Sequence, residues 1–349
     1  MTPEFGALAF AGLAALGVPA ILRPILHALG VVDLPNERSS HSRVTLRGGG
    51  VAPLPGVLIG GLWVALAVPV DESLMALLVL TAGVAMGVVG LVEDVGGLRA
   101  SIRAGLQALI GGVLIVTLCA AAGGGWIWLP LAVLFFAANV NFTNFMDGIN
   151  AISGLHGLVV GLAFSILGML QGFEWLVFVG FIIAVVFTVF LPWNLAPPGM
   201  FLGDVGSYLL GGLVAATAMA ALFAGLNPVA VLAPLAVYWA DTVSTLARRL
   251  ARGEQIFQAH RTHAYQRLTN TGLSHCKSAA IVAAFTLLTS AVGILVQAEV
   301  LAWPLGMLLI PGLAVTYLSL PRLRGDVLSK KVHPEDRGLV NPAREVLDV

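Results

Sequence analysis

Eleven apolar runs, each about as long as a helix needs to cross a bilayer, follow one another along this chain and leave little room for other structure. They lie at about 5–29, 50–70, 73–92, 103–122, 126–145, 149–171, 174–193, 205–225, 227–247, 278–297 and 301–320. Roughly 20 apolar residues span the hydrocarbon core. Inside that core each backbone polar group must be satisfied within the protein, which a helix does by itself. The stretch from Trp126 to Gln171 is too long for one pass, and its polar interruption Asn144-Phe145-Met146-Asp147-Gly148 divides it into two. Charged residues make up only 10% of the chain and hydrophobic ones 58%. Soluble domains carry about 25% charged residues, so a soluble protein is excluded. The expected fold is an all-α, polytopic helical bundle of about eleven transmembrane helices. Residues 1–320 form its one membrane domain, and residues 321–349 a solvated or loosely helical cytoplasmic tail.

Lys and Arg then orient the bundle. Alternate connections collect all but one of the 18 basic residues: the loop at 30–49, the turn at 93–103, the loop at 248–277 and the tail. The exception, Arg23, lies near the end of the first run on the same side. The opposite connections hold Glu4, Asp71, Glu72, Glu174 and Glu299 and no basic residue. Basic loops stay in the cytoplasm, so the amino terminus is expected outside and the carboxyl terminus inside. Met1 to Gly6 lacks Lys and Arg, which points to a retained first helix rather than a cleaved signal. Formal net charge is zero, which gives no attraction to nucleic acid. Cys119 and Cys276 offer neither a disulfide framework nor a metal-ligand spacing.

The polar residues that are more than topology markers fall on that cytoplasmic side. The first loop runs from Asp33 to Gly50 and combines Arg38, His41, Arg43 and Arg47 with a glycine run whose N–H groups could approach an anion. Glu93 and Asp94 end the third run, with Arg99 and Arg103 following. Asn139, Asn141, Asn144 and Asp147 lie in or at the end of the fifth, the last three spaced along one helix side. Amides and carboxylates are costly in hydrocarbon and face the bundle interior. Trp193-Asn194 precedes Gly203-Asp204-Val205-Gly206-Ser207, where Asp204 reads either as a helix N-cap or as a ligand for a hard cation. Asp241 precedes Arg248 and Arg249, and His260-Arg261-Thr262-His263-Ala264-Tyr265-Gln266-Arg267 closes the series. Cations at this density suit phosphate oxygens, and with no carboxylate expected beside them they make a structural zinc site improbable. Taken singly, each cluster also reads as a solvated loop, a helix end or a core hydrogen bond. Together they fit a diphosphate held by Mg²⁺ and cationic side chains.

In order and sidedness these clusters resemble the polyprenyl-phosphate N-acetylhexosamine-1-phosphate transferase family, relatives of the phospho-N-acetylmuramoyl-pentapeptide transferases. The resemblance spans Asp33 to Arg267. It implies an integral enzyme that moves a sugar-1-phosphate from a UDP-N-acetylhexosamine to undecaprenyl phosphate and releases UMP. It implies Mg²⁺, or Mn²⁺ in its place, at Asp204 and Asp94, and catalytic roles for Glu93, Asp94, Asp147 and Asp204. The family's Asn-x-x-Asn-x-x-Asp-Gly motif matches Asn141, Asn144, Asp147 and Gly148, and Asn194 matches an asparagine near the nucleotide. Substrate contacts are then expected from Arg38, His41, Arg47, Arg103, Asn141, Asn144, Asn194, His260, Arg261, His263 and Arg267. Departures are Glu93 in place of the usual first Asp, Leu46 where Pro often stands, and a histidine loop with Tyr265 and Gln266. That loop is similar to the branch that starts O-antigen or capsule chains, often with 6-deoxy sugars such as FucNAc or QuiNAc. The implied setting is the bacterial inner membrane, with the site on the cytoplasmic face and the homodimer question open. The rival class is an ion-coupled secondary transporter, which would place its site near the midplane between repeats. Here the carboxylates sit at helix ends and no repeat is visible.

Overall fold

The computed structural model describes residues 3–28, 32–33, 45–46, 48–196, 199–255 and 261–331. Its helices are α1 (Pro3–Ala28), α2 (Pro53–Ala67), α3 (Val70–Gly96), α4 (Ala100–Ala121), α5 (Leu129–Met146), α6 (Ile152–Gln171) and α7 (Glu174–Thr188). They continue as α8 (Leu191–Leu195), α9 (Gly203–Phe223), α10 (Pro228–Leu232), α11 (Ala236–Ala251), α12 (Ala264–Asn270), α13 (His275–Gln297) and α14 (Trp303–Lys331). A two-residue antiparallel pair, Val32–Asp33 with Thr45–Leu46, is the extended element among the described residues.

Among the described residues ten helices are long and apolar enough to cross a membrane, and α1 contributes the shorter apolar stretch Ala11–Ile25. The chain is therefore the all-helical, multi-span membrane protein that the apolar runs predict. Two of these passes each join two α-helices. Glu174–Leu195 combines α7 and α8, with Pro192 in the first turn of α8. Pro228–Ala251 combines α10 and α11 through a 3₁₀ turn at Ala233–Leu235 that contains Pro234. A proline lacks the N–H that would continue the ladder and fits the first turn of a new helix. The last helix runs on through Lys331, so the proposed boundary at residue 320 falls inside a helix. Residues 332–349 of the expected tail lie outside the described residues.

Helix α9 is the axis of the bundle, with 94% of its apolar window buried, against 22% for the span of α14. Glycines let its neighbours come close. A Cβ on Gly83 or Gly87 of α3 would press on Leu213 or Leu209 of α9, and one on Gly211 of α9 would meet the Val140 backbone of α5 at 2.8 Å. Small residues at such seams supply the packing that membrane helices need in place of a hydrophobic drive. Leucines such as Leu62, Leu66, Leu134 and Leu308 are left on the outside, as lipid contact requires. The consequence for function is that α3, α5 and α9 are locked along their lengths, and so are the polar residues at their shared end.

Candidate active site

Helix α9 begins at Gly203, whose φ of +73° only glycine adopts without strain. A Cβ there would also lie 2.7 Å from Asp94 Oδ2 at the end of α3. The Asp94 carboxylate accepts the Val205 N–H at 2.9 Å, a placement favoured by the positive end of the helix dipole. Asp204 sits within the first turn rather than at the N-cap, which is Leu202. The N-cap reading of Asp204 is thereby corrected. Its Oδ1 accepts from Asn144 Nδ2 at 2.8 Å, and the same amide reaches Ser207 Oγ at 3.0 Å. Asp147, just past α5, accepts from Ser153 Oγ at 2.6 Å. Burial pushes the Asp147 carboxyl up to about 8, against the lowering effect of the Ser153 hydrogen bond and with the charges of Asp204 and Asp94 adding to the rise. Three aspartates and one asparagine thus share a single electrostatic neighbourhood at the start of α9.

Glu93 takes a different position from Asp94. Its Oε1 pairs with Arg103 at 2.8 Å and its Oε2 accepts the Leu98 N–H at 2.5 Å, so the side chain staples the turn between α3 and α4. The extra methylene relative to Asp gives it the reach for both. Arg103 in turn approaches the Tyr208 hydroxyl at 3.4 Å, one turn along α9 from Asp204.

Other expected contacts are absorbed by the scaffold. Asn141 donates to Gln107 Oε1 at 2.8 Å and to its own helix at Ala137 O, tying α5 to α4. Asn139 donates to Gly211 O and accepts from Trp239 Nε1. Asn194 accepts the Ala151 N–H at 2.6 Å and donates to Met200 O at 3.0 Å. Its amide holds Ala151, a non-glycine residue at φ +72°, in the turn that follows Asp147. The glycine run is also spoken for: Gly49 N and Gly50 N donate to Phe201 O and Leu202 O at 2.8 and 2.7 Å. A Cβ on Gly50 would lie 2.5 Å from Leu202 O, so these glycines serve close packing at the start of α9 rather than an exposed anion cradle.

The loop after α11 divides likewise. His263 is buried, with Nδ1 3.3 Å from Asp241 Oδ1, while Arg261 is exposed. Arg249 pairs with Glu254 at 3.1 Å. These two carboxylates correct the expectation that the loop's cations and histidines have no acidic partner. Arg267 is half-buried and its Nε and Nη2 have no hydrogen-bond partner among the described residues, with the cationic Arg248 near enough to repel it. An incoming anion would relieve both. Arg38, His41, Arg47 and His260 lie outside the described residues.

The aspartates and Asn144 offer only hard oxygen donors apart from the amide nitrogen. Among the described residues no three His, Cys, Asp or Glu side chains form a metal-holding group by themselves. Mg²⁺ needs no such cage, since it uses one or two carboxylates and completes its shell with water and phosphate; the donor set fits it. Sequence reasoning overlooked Ser153, Tyr208, Gln107 and Tyr317. Ser153 stands six residues after Asp147 and was open to notice, whereas Tyr317 carries no local signal.

Comparison with known proteins points the same way. Residues 76–222, from α3 through α9, match glycosyl transferase family 4. A probable undecaprenyl-phosphate N-acetylglucosaminyl 1-phosphate transferase of Bacillus subtilis is 26% identical over 286 residues, 77% of this chain and 78% of its own. The decaprenyl-phosphate N-acetylglucosaminephosphotransferase of Mycobacterium leprae is 30% identical over 292 residues, 72% of this chain and 73% of its own. A phospho-N-acetylmuramoyl-pentapeptide-transferase of Clostridium novyi is 25% identical over 303 residues, 79% of this chain and 91% of its own.

Proposed function

This chain belongs to glycosyl transferase family 4, and from that membership we propose that it transfers an N-acetylhexosamine-1-phosphate from a UDP-sugar to undecaprenyl phosphate, releasing UMP. The observation that carries the reading is the cluster of Asp94, Asp147, Asp204 and Asn144 where α3 and α5 end and α9 begins. In the proposed reaction an oxygen of the lipid phosphate forms a bond to the β-phosphorus of the donor. The bond from that phosphorus to the bridging oxygen breaks, and UMP leaves with the electron pair. One phosphoanhydride replaces another, so no further energy source is required. A phosphate monoester is mostly dianionic at neutral pH, with its second pKa near about 6, and a general base is dispensable.

The protein's part is positioning and charge neutralisation. Asp204 and Asp94 would hold Mg²⁺, with Asp147 as a further oxygen ligand; the ion supplies Lewis-acid polarisation and shields the donor's charge. Asn144 fixes the rotamer of Asp204 through its hydrogen bond. Among the described residues Arg267 and Arg261 are cations open to a diphosphate, while Arg103 is engaged by Glu93. The site belongs on the cytoplasmic face of a bacterial inner membrane, where the nucleotide sugar is. GlcNAc is the first sugar to test, because two of the relatives above are named for it. FucNAc or QuiNAc and a role in starting O-antigen or capsule chains are the further possibilities that the variant loop suggests. The transporter reading is disfavoured because Asp94, Asp147 and Asp204, the carboxylates of the candidate site, sit at helix ends.

Purified protein in detergent, given undecaprenyl phosphate, Mg²⁺ and a panel of UDP-N-acetylhexosamines, should form a lipid-linked sugar diphosphate and an equal amount of UMP. No UMP from any donor, with the lipid present, would overturn the proposal.

A further inference from the structure

Asp241 lies in the middle of α11 with no exposed surface. A carboxylate so placed in a membrane bundle is costly unless its oxygens are hydrogen-bonded. Here both are: Oδ1 takes Ala264 N–H at 2.8 Å and faces His263 Nδ1 and Thr245 Oγ1 at 3.3 Å, and Oδ2 takes Tyr265 N–H at 3.2 Å and Tyr317 OH at 2.6 Å. Two of these donors are the first N–H groups of α12, and a third comes from α14. The short helix of the cytoplasmic loop is therefore hung by its N-terminus from two membrane helices through one side chain.

From that anchorage α12 directs Tyr265 across to α5. The Tyr265 hydroxyl donates to Phe145 O at 3.1 Å and is hydrogen-bonded by the Gly148 backbone. These two residues flank Asp147, the carboxylate with the raised pKa in the candidate site. Gly148 has room for this hydroxyl because it has no side chain; a Cβ there would collide with it. On the far side of the same turn, Asn194 holds Ala151. The turn that carries Asp147 is thus clamped at both ends, and one clamp is built from the loop that lies next to Arg248 and Arg267.

We infer that Tyr265, hung from Asp241, is a positioning residue that holds the Asp147 turn in its reactive geometry. The inference rests on the transferase reading for its kinetic consequence, not for its structural one. Tyr265 stands in the variant part of the histidine loop, so in this chain that position works through the protein interior rather than on substrate. A displacement of the order of 1 Å at a reacting group can cost about 10²-fold in rate. Losing one of two clamps is expected to cost about tenfold by the same reasoning.

The test is Tyr265→Phe, which keeps the ring in its buried slot and removes the hydroxyl alone. The expected result is a kcat lower by about tenfold, with KM for donor and lipid both within about twofold, because the substitution touches neither substrate. Amide hydrogen exchange of the peptide covering 144–152 should accelerate while that covering 203–223 stays as in the parent. Tyr317→Phe, which removes one donor from Asp241 at the other end of the relay, should move kcat and exchange in the same directions. An unchanged kcat with unchanged exchange at 144–152 would overturn the inference. A donor KM that rises while kcat holds would also overturn it, by making Tyr265 a substrate contact. Equal acceleration across both peptides would reduce the residue to general packing. Should the parent show no transfer at all, the functional reading falls, and the exchange measurements still decide the clamp.

Discussion

Gly90→Ala is the sharpest single perturbation of the proposed site, because it acts on the position of Asp204 without altering any polar side chain. Gly90 lies on α3 against the first turn of α9, and a Cβ added there would stand 2.5 Å from the carbonyl carbon of Asp204 and 2.7 Å from Val205 N, with the Asp204 carbonyl oxygen nearer still. Ordinary contact begins at 3.4 Å. The obstacles are backbone atoms, so no rotamer change relieves them. The start of α9 must retreat by about 1 Å, a displacement that can cost about 10²-fold in a positioned reaction. Overpacking of a core costs about 1–3 kcal/mol, so the variant should still fold. Its control is Gly87→Ala one turn away, where a Cβ would meet only the Leu209 and Leu54 side chains at 3.3 Å and beyond. Initial rates of UMP release at saturating donor, lipid and Mg²⁺ should fall about a hundredfold for Gly90→Ala and by less than about threefold for Gly87→Ala. Thermal unfolding in detergent reports the packing cost separately. Equal losses in the two variants, or a Gly90→Ala enzyme near parental rate, would refute the claim that backbone contact between α3 and α9 sets the position of Asp204.

Three further outcomes follow from the same geometry. Asp204→Asn keeps an acceptor for Asn144 but loses the charge, and removing one preorganised electrostatic contact costs roughly 10²–10³ in rate; turnover within about fivefold of the parent at saturating Mg²⁺ would deny Asp204 its proposed role. Exposed Cys276, at the start of α13, should resist a membrane-impermeant thiol reagent in intact cells and label after the membrane is opened, while buried Cys119 stays unlabelled in both; ready labelling in intact cells reverses the orientation. Asp147 holds its proton up to about 8 when folded, against the ordinary 3.8, so the folded state binds more protons and stability falls as pH rises through that window. Asp147→Asn should flatten the decline in metal-free thermal unfolding between about pH 5.5 and 8.5, and an unaltered slope would count against the buried neutral acid.

The sequence by itself determined the architecture. Bilayer thickness sets a helix length and hydrocarbon forbids unpaired backbone, so a run such as 174–193 had to become a membrane pass, and Glu174–Leu195 is one. It also singled out the aspartates and Asn144, because polar groups at the ends of membrane helices stand out against a chain that is 10% charged. What only the tertiary structure decided is which polar groups are spent. Gly49 and Gly50 read as an anion cradle, yet their N–H groups are taken by Phe201 and Leu202. His263 reads as a donor contact and is turned inward to Asp241, and both ends of the Asn194 amide are used on the backbone. Glu93 reads as half of an acidic pair and is a turn staple bound to Arg103. The physical reason is common to all four. A hydrogen-bonding group has the same sequence signature whether its partner is a substrate or another group of the same chain. Only the folded chain brings that partner within about 3 Å, the distance at which a hydrogen bond forms.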